Sequence, residues 1–198
     1  MNVVVEKLRE IETPPGNGAY RRLTALAQRL ELKEGLQSEH TAAVSRLAVA
    51  VAAKLGLSAE QRRQVELGAL LHDIGKLTVP DRILTKPGCL NELEWAVMRR
   101  HAALGELLLV RILDLPDVLA VVRSHHERWD GHGYPDGKRG EGIPLLARIV
   151  AVADAFQAMI EPRPYREPLS RDAALRELAA GSGRQFDPAC VDALLAVV

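Results

Sequence analysis

Polar groups stand where the helices of this chain should be apolar. Aliphatic residues recur at intervals of three and four through Val44, Leu47, Val51 and Leu55, and a second stripe runs through Val97, Leu104, Leu108 and Ile112 with His101 in its one gap. On such stripes His40 lies four residues before Val44, His101 four after Val97, His125 four after Val121, and Asp154 midway between Val150 and Ala158. Each is therefore expected to point inward among aliphatic neighbours. Imidazoles and carboxylates in such an interior cost several kcal/mol unless they are hydrogen-bonded, paired or bound to a cation. A shared metal centre would offset that cost for all of them at once.

Two doublets extend the set. His72-Asp73 follows Leu70-Leu71 and precedes Ile74-Gly75-Lys76, while His125-His126-Glu127 runs directly into a glycine-rich stretch. Adjacent side chains in mid-helix diverge by about 100°, but at a helix end both can approach one point. His40, His72, Asp73, His101, His125, His126 and Asp154 make more ligands than one ion can take. Two ions with a bridging carboxylate is the economical count, and a pair about 3.5–4 Å apart suits in-line hydrolysis of a phosphate ester. Imidazole with carboxylate suits iron, manganese, zinc or cobalt, and the lack of nearby thiolates argues against a structural zinc cluster.

The remaining pattern is helical. Aromatic residues make up 4% of the 198 residues, so the core must be largely Leu, Val, Ala and Ile, and the length suits one domain. Thr13-Pro14-Pro15-Gly16-Asn17-Gly18 breaks regular structure and sets off residues 1–18 as a leader; a first helix is expected over about 19–34 and the core over about 39–198. Helices are expected from Glu39 to Gly56, from Ser58 to Gly75, from Asn91 to just before Pro116, from Asp117 to Glu127, from Pro144 to Ile160, from Ser170 to Ala180, and after Asp187-Pro188. The leucine stripes and Trp95 are expected in the core. Residues 129–142 hold five glycines in fourteen and read as a long ordered loop, usually a functional feature in a compact domain.

Charge and composition narrow the partners. Lys plus Arg equals Asp plus Glu at 26 each, without the basic excess of many nucleic-acid binders, so no nucleic-acid polymer is expected. No uncharged stretch approaches the ~18 residues of a membrane span, and no signal peptide is evident. Cys89 and Cys190 form no disulfide framework, and a cytoplasmic, non-membrane protein is expected.

The ordered string His72-Asp73-Ile74-Gly75-Lys76, His101, His125-His126-Glu127, Trp129-Asp130-Gly131, Gly133-Tyr134-Pro135 and Gly137 resembles the HD-GYP group of the HD superfamily of metal-dependent phosphohydrolases. The likeness continues through Ile143-Pro144, Asp154, Arg163-Pro164-Tyr165-Arg166 and Phe186-Asp187-Pro188. It implies an all-α bundle with a long glycine-rich loop, acting on the bacterial second messenger cyclic di-GMP to give pGpG, GMP or both. By resemblance, His40, His72, Asp73 and Asp154 hold one divalent ion, His101, His125 and His126 the other, and Asp73 bridges them; iron or manganese is expected. Lys76 would contact the scissile phosphate, and Tyr134, Arg163 and Arg166 would line the nucleotide site, arginine being suited to bidentate phosphate contacts. Glu127, Asp130, Gly131, Gly133 and Pro135 would shape the loop.

Two positions differ from the pattern. Gln157 stands where the family usually has Asp, which bears on metal affinity or rate. Leu36 stands where some members carry a third-metal glutamate, so two metals are expected. Arg148 is left undecided, His132 is expected to be exposed, and control by a separate protein is open. Two rival readings keep the fold: an HD-type phosphohydrolase acting on another nucleotide or cyclic dinucleotide, and a silent module that binds the messenger or scaffolds a protein.

Overall fold

A computed structural model describes residues 18–34, 38–162 and 167–198. The leader through Asn17, Leu36, and Arg163 and Arg166 lie outside the described residues. Those described form an all-α architecture with one isolated bridge, between Ser182 and Phe186. Its elements are α1 Gly18–Glu34, α2 Ser38–Lys54, α3 Ala59–Leu71, a 3₁₀ turn Ile74–Thr78, and the short α4 Asp81–Leu84. They continue with α5 Glu92–Met98, α6 His101–Leu109, α7 Pro116–Ser124, α8 Leu145–Ile160, α9 Arg171–Gly181 and α10 Pro188–Leu195. No helix among the described residues is long and apolar enough to cross a membrane.

The helix starts follow the local chemistry. Ser58 and Gln61 form a reciprocal capping box on α3, and Asn91 and Glu94 form another on α5, each cap contributing about 1 kcal/mol. Ser170 caps α9 by accepting from the Ala173 N–H, and Asp187 caps α10 ahead of Pro188.

Three expected helices end early, two at a histidine and the third just before one. The stretch from Ser58 is α-helical only to Leu71, with His72 at its end. The helix expected from Asn91 divides at Arg99–Arg100, and the one expected to reach Glu127 stops at Ser124, with His125 at its end. The division changes which side of the second half is buried: His101, Ala102, Gly105 and Leu109 face inward, while Leu104, Leu108 and Ile112 are half-buried and Leu107 is exposed. Trp95 is also not a core residue, with 44% of its surface exposed; α5 is too short to bury a complete face and has no buried residue.

Two apolar clusters flank the histidines. One gathers Val44, Val51, Val65, Ile149, Phe156 and Leu194 from α2, α3, α8 and α10; the other gathers Leu23, Leu71, Ile74, Leu109 and Val122 from α1, α3, the 3₁₀ turn, α6 and α7. Helix α3 contributes to both and packs on α2, α7 and α8. The 3₁₀ turn lies so close to α6 that a Cβ on Gly75 would fall 1.8 Å from the His101 carbonyl oxygen. This backbone contact brings His72-Asp73 against His101.

Candidate metal centre

An α-helix leaves its last carbonyls without intrahelical partners, and here imidazoles take them. His72 Nδ1 lies 2.7 Å from the Ala69 oxygen, His101 Nδ1 2.8 Å from Met98 and His125 Nδ1 2.9 Å from Val122, each three residues back. A carbonyl oxygen only accepts, so each Nδ1 carries a proton and each Nε2 is turned toward the cluster, where it offers a lone pair whenever the ring is neutral. The early helix ends and the tautomers thus have one cause. All three rings are buried.

The Nε2 atoms converge on Asp73. Its Oδ2 lies 3.2 Å from His72 Nε2 and 2.7 Å from Lys76 Nζ; its Oδ1 lies 3.3 Å from His101 Nε2 and 3.9 Å from His125 Nε2. Asp73, His101, His125 and His126 offer donor atoms within 4.8 Å of one another, and so do His40, His72 and Asp154. The donor set fits cations. His101 Nε2 and His125 Nε2 stand 3.3 Å apart, and with both Nδ1 protons committed, two lone pairs would oppose each other unless a cation or proton lay between them.

Burial and charge compete across the cluster. Burial works against the charged form of His72, but Asp73 outweighs it and lifts its pKa to about 9. Burial also opposes ionisation of Asp73 and Asp154; Lys76 and His72 hold Asp73 well below the usual carboxylate range, and His40 and His72 bring Asp154 to about 2. Burial, reinforced by neighbouring imidazoles, pushes His125 well down and His126 to about 4, so both are neutral at pH 7.

His40 is held differently. Its Nδ1 lies 2.6 Å from Glu161 Oε2 and its Nε2 3.1 Å from Asp154 Oδ1. Burial opposes its charged form, but Asp154 and then Glu161 outweigh burial and raise its pKa. The sequence reading missed Glu161. The signal was its place seven residues after Asp154, directly past the end of α8. Gln157 is half-buried one turn before it.

The glycine-rich loop is bound down beside the histidines. Buried Glu127 accepts from the Asp136 N–H at 2.7 Å and the Lys138 N–H at 3.1 Å, so it organises the loop. Asp130 pairs with Arg128 and accepts from the His132 N–H, and the His132 ring is exposed. A Cβ on Gly133 would meet Arg128 N at 2.4 Å and His126 O at 2.6 Å; only glycine permits the approach that sets Tyr134 4.8 Å, ring centre to ring centre, from His126. Pro135 follows through a cis peptide, and Gly131 occupies the left-handed region at φ 81°. Arg148, undecided from sequence, is structural: it donates to Ile143 O and Asp187 and lies over Trp129. An open cavity of about 460 Å³ is lined by His125, His126, Tyr134, Asp154, Trp95 and Arg99, among others.

A helical fold with paired His/carboxylate clusters at its helix ends defines a class of candidate metalloprotein, and comparison with known proteins specifies it. Residues 24–190 match the family model described as HD domain. The chain belongs to this family. It is 47% identical over 199 aligned residues to the cyclic di-GMP phosphodiesterase response regulator RpfG of Xanthomonas campestris, covering 98% of this chain and 49% of that protein. It is 36% identical to 3'3'-cGAMP-specific phosphodiesterase 2 of Vibrio cholerae, covering 86% of this chain and 33% of that protein. The chain thus spans half or less of each relative. Among solved structures, the HDG"Y"P protein Bd1817 of Bdellovibrio bacteriovorus superposes with a TM-score of 0.68 at 21% identity, over 98% of this chain and 68% of that one.

Proposed function

We propose that the chain is a cytoplasmic metal-dependent phosphodiesterase that hydrolyses cyclic di-GMP to pGpG, GMP or both. The observation that carries this reading is the placement of Asp73, one oxygen toward His72 and the other toward His101 and His125. His40, His72 and Asp154 would hold one divalent cation and His101, His125 and His126 the other, with Asp73 between; iron and manganese suit the mixed donors. When bound, such a pair would supply an acidified water and a Lewis acid for a phosphate oxygen. The chain supplies the rest. Lys76, beside Asp73, presents its ammonium to the scissile phosphate, Tyr134 rims the cavity, and Arg163 and Arg166 neutralise the ester.

The test is turnover by protein purified without oxygen and reconstituted with ferrous iron or manganese. Cyclic di-GMP should disappear, with linear product resolved by chromatography. The likeness to a cGAMP-specific enzyme makes 3'3'-cGAMP the second substrate to offer. Preference for it, or for a mononucleotide, would reassign the substrate; binding of cyclic di-GMP without turnover would make the chain a receptor.

Glu161 bears on the same centre. A carboxylate on the far nitrogen of a ligating histidine fixes the ring and raises its basicity, and losing such a partner weakens metal affinity about 10- to 100-fold. Metal titration of Glu161→Ala should show that loss for the cation at His40 only, and Glu161→Gln, which keeps an acceptor oxygen, should restore most of it. Equal affinities in all three proteins would reduce the contact to a surface ion pair.

A further inference from the structure

Trp95 and Arg99 are one helical turn apart at the end of α5, and both are exposed where they line the cavity that opens onto His126 and Asp154. The Arg99 guanidinium lies over the Tyr134 ring, 5.9 Å from its centroid, and that ring lies 4.8 Å from the His126 ring at a tilt of 33°. Imidazole, phenol, guanidinium and indole therefore line one wall leading outward from the candidate metal centre. An indole with 44% of its surface in water offers apolar area that its own fold does not cover.

We infer that this wall is a nucleobase subsite, with Trp95 stacking on one purine of the cyclic dinucleotide and Arg99 addressing that base's N7/O6 edge. The inference rests on the phosphodiesterase reading. Every base has a π-face, and stacking on an aromatic side chain is worth about 1–3 kcal/mol per base. Arginine is the commonest partner of guanine O6 and N7, which it meets with two parallel N–H donors. The guanidinium lies over Tyr134 and lines the cavity, where its planar fork is available to a base edge.

Steady-state kinetics of the metal-loaded protein test this. Trp95→Ala should raise KM for cyclic di-GMP about tenfold, with kcat and metal content unchanged, and Trp95→Phe should recover most of the loss. Arg99→Lys should behave like Arg99→Ala, and both should narrow the preference for guanine over adenine cyclic dinucleotides. An unchanged KM in Trp95→Ala, while wild-type protein turns over cyclic di-GMP, would overturn the subsite and leave the phosphodiesterase reading intact. An Arg99→Lys protein equal to wild type would show a point charge acting on phosphate instead of a base-edge contact, and would overturn that assignment. Absence of both binding and turnover in wild-type protein would remove the phosphodiesterase reading, and the subsite with it.

Discussion

Asp73→Ala should lose both bound cations and at least about 10³-fold in turnover while keeping its helical content. Removing a single preorganised electrostatic contact from an active site costs about 10²–10³ in rate, and Asp73 makes several. Its Oδ2 is the counter-charge of His72 and Lys76, and its Oδ1 faces His101 and His125. Without it, burial around His72 is opposed only by Asp154 and the Ala69 carbonyl, so its pKa should fall from about 9. The helices should survive because the two apolar clusters do not include Asp73. Metal analysis, circular dichroism and a turnover assay on one preparation check this. Full activity from metal-free Asp73→Ala would refute the mechanism.

Gly75→Ala should be the most damaging glycine-to-alanine change among the described residues. The added Cβ would lie 1.8 Å from the His101 oxygen and 2.7 Å from the Gly105 nitrogen, both backbone atoms of α6. A side chain could rotate away, but a helix must move as a unit. Overpacking costs about 1–3 kcal/mol and occasionally more; a backbone obstacle puts this case near or above about 3 kcal/mol. For a chain of this size that lowers Tm by roughly 6–12 °C. Retreat of α6 also draws His101 away from Asp73, so metal affinity should fall with stability. Gly142→Ala is the control, because nothing lies within 4 Å of its added Cβ. Equal melting temperatures and metal content for the two variants would show that the contact between the 3₁₀ turn and α6 is not tight.

The sequence made the helices and the candidate ligands legible to different degrees. Capping residues Ser58, Asn91, Ser170 and Asp187 act within one turn of themselves, so those starts could be read directly. The ends at Leu71, Met98 and Ser124 could not, because they depend on where an imidazole finds a carbonyl. His101 and His125 were recognisable as polar residues on apolar stripes. The inward stripe beyond His101 was misjudged because the division at Arg99–Arg100 changes the helical phase. Trp95 was misplaced for a related reason: hydrophobicity says that a residue prefers burial, not that a seven-residue helix can supply it. Glu161 went unnoticed because a lone acid at a helix end ordinarily sits in water.

Apolar periodicity was enough to determine the helical class, and the ordered His, Asp and Gly motifs were enough for the family resemblance and the candidate ligands it implies, since each depends on residue type and local spacing. Only the tertiary structure decided which nitrogen of each imidazole faces the centre, that Asp73 lies between two groups of donors, and that Glu161 holds His40. Those are relations between atoms on separate helices. Their geometry is set by how closely the backbones pack, as at Gly75 against His101, and spacing along one chain carries no measure of that distance.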